Sequence, residues 1–428
     1  MTTSTDHMRL SASSGTGDRD APTPPGDRRL LAADGPDLPR HAARFGPLPR
    51  PHELIGQLVE SGLCGRGGAG FPTGSKMGAV AGRRPVVIAN GAEGEPASSK
   101  DAVLLEHAPH LVLDGLALTA AAVGAREAHL YTSADVMPAV RRAVAERRAV
   151  GWDRLPVQLT EAPDTFLAGE KSAVVNAIEG RPAIPRDHPI SLTRSGLRGR
   201  PTLVHNVETL AHVALIARYG PNWFRGVGDQ SEPGTMLVTL SCAAAPSVVE
   251  VPTGMALARL LDDHTSIGPA DVRALLLGGY HGTWISATDA AHADFSRMSL
   301  SPLGSAPGAG VVQILTRDEC GLRRSADIVT YLAAQSARQC GPCLNGLPAL
   351  ANILTDLAYR QPRPDSVGEI TRLAALVEGR GACKHPDGTA RFLRSTMSTF
   401  SHDVELHLRG TCEAAYLERE PRNLVNPR

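Results

Sequence analysis

Two short stretches of this sequence carry residues whose types and spacing could do chemistry. Gly65-Arg-Gly-Gly-Ala-Gly-Phe-Pro-Thr-Gly74 places five glycines in ten residues, with Lys76 close behind. A backbone without Cβ atoms reaches positive φ and approaches a ligand closely, so successive N–H groups can cradle an anion, and Lys76 adds a charge suited to phosphate. The stretch lacks the Gly-Lys-Ser/Thr ending of a P-loop. Gly65-x-Gly67-x-x-Gly70 has Rossmann spacing, but no clear strand precedes it. On local grounds a structural turn explains these glycines as well as a nucleotide loop does. The second stretch is Cys340-x-x-Cys343, with Cys383-x-His385 further on. Thiols at this spacing in a large chain with seven cysteines fit a metal ion or cluster in a reducing, cytoplasmic setting better than a disulfide scaffold.

The elements that must position these residues follow from pattern. Residues 1–45 are rich in Ser, Thr, Pro, Gly and charge, and read as a disordered arm. From 46 to 230, strand-like runs (Pro85–Ala89, Ala128–Tyr131) alternate with helical ones (Val103–Val123), which predicts an α/β domain with parallel strands. Residues 231–312 read as a small β-grasp-like domain, with Thr235–Leu240 and Ser247–Val251 as paired strands and Ala256–Asp262 as a short helix. Residues 313–410 turn helical. Ile328, Val329 and Leu332 share a face, as do Leu350, Ile353, Leu354 and Leu357 after Pro348. Ser366-x-x-Glu369 reads as a capping box, Gly379 as a stop, and Leu393, Met397, Phe400, Val404 and Leu408 as a fourth stripe. Four such helices make a bundle that carries the cysteines, followed by a tail over 411–428.

Composition excludes some classes. Formal charge is zero, with 44 basic and 44 acidic residues, so nothing draws the chain to nucleic acid or an anionic membrane. No apolar window is long enough for a spanning helix, and residues 1–25 lack the apolar core of a secretory signal. Only four lysines occur, Lys76, Lys100, Lys171 and Lys384, all within or beside the motif segments.

The order of four motifs adds a resemblance. The glycine loop is followed by Asn90-Gly-Ala-Glu-Gly-Glu95-Pro96, by Phe166-Leu-Ala-Gly169-Glu170 with Ile178-Glu-Gly180, and by Pro201-Thr-Leu-Val-His-Asn206-Val-Glu-Thr209-Leu210. Over residues 50–410 this order closely resembles the flavoprotein subunit of respiratory complex I and the diaphorase subunits of NAD-linked hydrogenases and formate dehydrogenases. The resemblance implies an NADH dehydrogenase subunit. It would oxidise NAD(P)H with FMN and pass electrons through an iron–sulfur centre to an iron–sulfur or ferredoxin-like partner protein. It implies that Gly65, Gly67, Lys76, Asn90, Glu93, Glu170, Asn206 and Thr209 hold FMN, and that Phe71 and Glu95 hold the nicotinamide nucleotide, the phenylalanine by stacking. Arg66, Gly68, Gly169 and Lys171 complete the implied cofactor-binding set. Cys340, Cys343 and Cys383 match cluster ligands, and no catalytic acid or base is implied.

Four departures qualify this. Ala92 replaces an aspartate, a wording shared with the flavin subunit of Rnf-type complexes. Lys171 replaces a glutamate near the adenosine ribose, so either NADPH is tolerated or the lysine points to solvent. His188, Pro189 and Ile190 stand where a second stacking aromatic is expected. Ala337 replaces the first cluster cysteine. The site then holds a 4Fe–4S cluster with a foreign fourth ligand or a 3Fe–4S cluster, recruits Cys320, or binds zinc instead. A degenerate, non-catalytic flavin-binding or assembly subunit is the alternative reading. Cys64, Cys242 and Cys412 read as structural or incidental.

Overall fold

The computed structural model describes residues 28–187, 190–242, 246–359 and 362–414. Its first layer is a parallel sheet of β1 (Val86–Gly91), β2 (Glu127–Ser133), β3 (Val157–Ala162) and β4 (Thr202–Asn206), in the order β3-β2-β1-β4. Val86, Val87, Ile88 and Ala89 are fully buried, as expected of a parallel strand covered on both faces. The chain winds one way from β1 through β2 to β3 and returns to the other side of β1 with β4. In open α/β sheets such a reversal opens a crevice at the carboxyl ends of the two strands. Here those ends carry Asn90 and Asn206, which face each other in register.

Helices α1 (Leu38–Phe45), α2 (Leu54–Ser61), α3 (Thr73–Gly78), α4 (Lys100–His107), α5 (Pro109–Ala122), α6 (Met137–Ala149), α7 (Lys171–Ile178) and α8 (Val207–Arg225) surround this sheet. The single helix expected over Val103–Val123 is two, α4 and α5, because Pro109 disfavours helical geometry at Ala108, whose φ/ψ is −134°/51°. The arm expected over 1–45 is ordered from residue 28. Asp37 caps α1 by accepting from Arg40 N–H, and Glu250 accepts from the backbone of Arg29, Leu30 and Leu31. That anchor lies some 220 residues away, beyond the reach of local pattern. The remainder of the expected arm, residues 1–27, lies outside the described residues.

The second sheet is mixed: β5 (Thr235–Ser241), β6 (Ser247–Pro252), β7 (Val272–Leu277), β8 (Thr283–Ser286) and β9 (Val311–Thr316), in the order β6-β5-β9-β7-β8. β5 pairs antiparallel with β6 and parallel with the central β9. Because β9 completes the sheet, this layer runs past residue 312. Helix α9 (Leu257–His264) buries Leu257, Leu260 and Leu261 against it, and the short α10 (Ala287–Ala290) and α11 (Arg297–Leu300) close its edge.

The bundle consists of α12 (Gly321–Ala334), α13 (Leu347–Tyr359), α14 (Ser366–Val377), α15 (His385–Thr399) and α16 (Ser401–Leu408). The expected capping box does not form. Ser366 donates its hydroxyl to Arg363 O, and Glu369 pairs with Arg372, because the helix starts at Ser366 itself. The fourth stripe is broken at Phe400, whose ring packs on Trp284, and Leu408 is exposed. Among the described residues no helix is long and apolar enough to cross a membrane.

Candidate functional site

The glycine loop is pinched at its base. Cys64 and Pro72 form a bridge, Gly65 N–H donates to Phe71 O (2.9 Å) and Thr73 N–H to Leu63 O (2.8 Å). Gly68 (φ 98°) and Gly70 (φ 60°) hold the left-handed turns between these ties. Arg297 of α11 braces the loop from above by donating to Gly68 O (3.2 Å) and pairing with Glu232. Its guanidinium lies so close that a Cβ on Gly70 would stand 2.1 Å from it. Below, Arg66 N–H donates to Thr209 Oγ1 (2.9 Å), which ties the loop to α8.

The loop faces a cavity of about 770 Å³ at the β1/β4 crevice, in the range of cofactor sites. Eight of the fourteen expected cofactor-binding residues line it: Gly67, Gly68, Asn90, Glu93, Glu95, Gly169, Glu170 and Asn206. Gly65, Arg66 and Thr209 stand behind them. Phe71 is 56% exposed, Lys171 is exposed on the first turn of α7, and neither lines the cavity. Lys76 donates to Val204 O (2.5 Å); burial, with Lys171 adding, pulls its ammonium down to about 8. Ile190 is exposed, and its neighbours His188 and Pro189 lie outside the described residues.

Most polar wall groups are fixed by the backbone. Asn206 caps α8 by accepting from Glu208 N–H, and its amide donates to Asp101 (2.6 Å). Asn90 donates to Gly169 O (2.9 Å). Glu170 caps α7 through Ser172 and Ala173 N–H. Glu93 accepts from Asp101 and Ala102 N–H at the start of α4. Glu95 accepts from Tyr280 N–H (2.8 Å), and burial pushes its carboxyl up to about 7. Sequence reasoning missed Lys100, which bridges Asp101 and Glu208, and the basic Arg297, Lys384 and Arg391. The scarcity of lysine pointed toward Lys100 and Lys384; the arginines come from remote elements with no motif of their own.

The bundle reaches the same cavity. Cys383, Lys384 and His385 line it beside the glycine loop. Cys343 is buried and in hydrogen-bonding contact with Cys340; burial, with Cys340 and Cys383 nearby, pushes its thiol up to about 12. Yet these three sulfurs are not gathered within 4.8 Å of one another. His385 has both ring nitrogens engaged, Nε2 with Leu332 O (2.8 Å) and Nδ1 with His281 (2.9 Å). Zinc bound with His385, one of the four possibilities from sequence, does not fit these contacts. Nor does recruitment of Cys320, which lies against His407 (3.4 Å). Cys340, Cys343 and Cys383 lie near one another, and Ala337 offers no thiol.

Comparison with known proteins decides the family. Residues 58–215 match the Nuo51 FMN-binding domain, and residues 323–407 match the NADH-ubiquinone oxidoreductase-F iron–sulfur binding region. An F subunit of NADH-quinone oxidoreductase from Rhizobium meliloti, the one designated F 2, is 32% identical over 378 residues, covering 84% of this chain and 89% of that one. The chain belongs to the family of NADH-quinone oxidoreductase F subunits. The F subunit of Streptomyces coelicolor is 30% identical, covering 84% of each chain, and that of Escherichia coli is 28% identical, covering 83% of this chain and 84% of that one. An NAD+-reducing NiFe-hydrogenase superposes with a TM-score of 0.76 at 27% identity in its H2-reduced state, covering 84% of this chain. The present chain spans 63% of that hydrogenase chain. Membership of the F subunits thus accounts for the glycine-lined cavity and the cysteine-bearing bundle together, with FMN and an iron–sulfur centre as the cofactors.

Proposed function

We propose that this chain is the NADH-oxidising, FMN-dependent electron-transfer subunit of a larger complex, with the cavity at the β1/β4 crevice as its flavin site. The observation that carries this is that Cys383 and the glycine loop line one cavity, so the place where a nicotinamide nucleotide delivers electrons adjoins the place where they leave. When bound, FMN supplies two-electron acceptance from the nicotinamide and one-electron release. The chain's own residues bind and orient. Gly67 and Gly68 allow close approach, Asn90 and Asn206 present amides held by Gly169 O and Asp101, and Arg297, Lys384 and Arg391 supply positive charge for phosphate. Exposed Phe71 offers its ring for stacking at the mouth of the loop. Glu170 holds the flavin, Glu95 contacts the nicotinamide nucleotide, and Lys171 biases the choice between NADH and NADPH.

Cys340, Cys343 and Cys383 hold the iron–sulfur centre by three thiolates, and a partner iron–sulfur protein takes the electrons. The Cys340-x-x-Cys343 spacing suits a reducing cytoplasm. The second reading, a non-catalytic flavin-binding or assembly subunit, is favoured by Lys171, by the lack of a second aromatic over residues 188–190 and by Ala337. Ferricyanide reduction by NADH separates the two, because it needs the flavin site and no partner. The purified chain supplied with FMN should turn over, and Gly67→Val, whose Cβ would stand 3.1 Å from that of Asn206, should lose at least about tenfold in rate. Absence of turnover in the native chain supports the second reading.

A further inference from the structure

Two of the remaining cysteines, Cys320 and Cys412, are gathered with a histidine. Cys320 precedes α12, His407 sits in the last turn of α16, and Cys412 follows that helix after a turn at Gly410 (φ 76°). They are separated in sequence by 87 residues between Cys320 and His407. All three are buried, and their Sγ, Nε2 and Sγ atoms lie within 4.8 Å of one another. The Cys320 Sγ to His407 Nε2 distance is 3.4 Å; a thiolate and an imidazole nitrogen on one tetrahedral zinc stand about 3.5 Å apart.

From this geometry we infer that Cys320, His407 and Cys412 form a structural zinc site, independent of the flavin and iron–sulfur function. The supporting shell is already in place. His407 Nδ1 lies 3.1 Å from Leu357 O, so the Nδ1–H tautomer is held and the Nε2 lone pair faces Cys320. Arg273 of β7 fixes both flanks: it donates to Glu319 O beside Cys320 (2.8 Å), to Glu413 beside Cys412 (3.1 Å) and to Asp403 Oδ1 (2.6 Å). Asp403 lies one helical turn before His407, and its Oδ2 is buried with no hydrogen-bond partner. It is the candidate fourth ligand. Two thiolates, one imidazole and one carboxylate around Zn2+ leave one net negative charge, which Arg273 balances. Binding releases the two thiol protons.

This site differs from the iron–sulfur one in place and in kind. The 14 residues of α12 separate Cys320 from the Cys340 segment, about 21 Å of helix. Cys320 and Cys412 fall outside the matched iron–sulfur region, which ends at His407. Soft thiolates with one imidazole in a closed, buried shell select zinc, and its role would be to tie the ends of α12 and α16 together beside α13.

Metal analysis of the full chain, purified anaerobically, tests the assignment. The wild type should carry roughly one zinc per chain, Cys340→Ser should keep the zinc while losing iron, and Cys412→Ser should fall below about a tenth of the wild-type zinc while keeping flavin and iron. A wild type without zinc that binds added zinc no more tightly than Cys412→Ser overturns the inference. So does a Cys412→Ser variant whose iron falls and whose zinc stays. Should the variants fail to fold, alkylation of the wild type decides. Cys320 and Cys412 should be protected in zinc-loaded protein and react after chelation; equal reactivity in both states, or a Cys320–Cys412 disulfide, contradicts the site.

Discussion

The bundle holds two sets of thiols that its helices treat in opposite ways. Cys340, Cys343 and Cys383 lie toward the cavity, two of them only half-buried, and Cys383 lines the glycine-lined cavity itself. Cys320 and Cys412 are buried, drawn together with His407 and closed behind Arg273. The set at the cavity suits a redox centre that must exchange electrons with a neighbour; the closed set suits one redox-silent ion that holds helices in place. Access to the cavity, more than cysteine count, distinguishes the two sets.

The comparison can be broken most directly at Cys343. Cys343→Ser should lose most of the iron, tenfold or more by about the cost of an absent ligand, while flavin content and NADH–ferricyanide turnover stay near the native level; coincident loss of flavin would show that the two regions are not separable. Next in size is Lys76. Burial pulls its ammonium down to about 8, so FMN affinity should weaken as pH rises above that value, because the charged form that favours an anion is depleted. Lys76→Met should weaken FMN about tenfold and flatten this profile in a fluorescence-quenching titration. Phe71→Ala should raise KM for NADH up to about tenfold with kcat little changed, as expected for a stacking contact at the mouth of the site. The smallest effect concerns Glu95, whose carboxyl titrates near 7. Below that pH it is neutral and a poor acceptor for ribose hydroxyls, so KM for NADH should fall modestly as pH rises through 7, and Glu95→Gln should remove the inflection.

Much of the cavity was legible in the sequence because its determinants are local. Glycines at Gly68 and Gly70 announce positive φ, Asn206 and Glu170 are helix caps, and the alternation of strands and helices places Asn90 and Asn206 at carboxyl ends of a parallel sheet. What escaped depends on tertiary contact. The anchoring of residues 28–31 by Glu250, the helix break at Phe400 under Trp284, and the bracing of the glycine loop by Arg297 have no periodic signal. Pro109 did mark the break between α4 and α5, and its effect on Ala108 could have been read. The Cys320–His407–Cys412 group left only a faint trace. Asp403 and His407 share a helix face four residues apart, and Cys412 follows five later, but Cys320 joins them only through the packing of α12 on α16.

The claim on which the account rests is that electrons enter this chain from a nicotinamide nucleotide at a flavin in the β1/β4 cavity. An anaerobic titration of the purified, FMN-loaded chain with NADH, followed by its visible spectrum, tests this without any partner. The account predicts that the flavin absorbance bleaches at about one NADH per flavin, a two-electron stoichiometry, and that ferricyanide restores it. A flavin spectrum that stays unchanged under excess NADH and excess NADPH would contradict it.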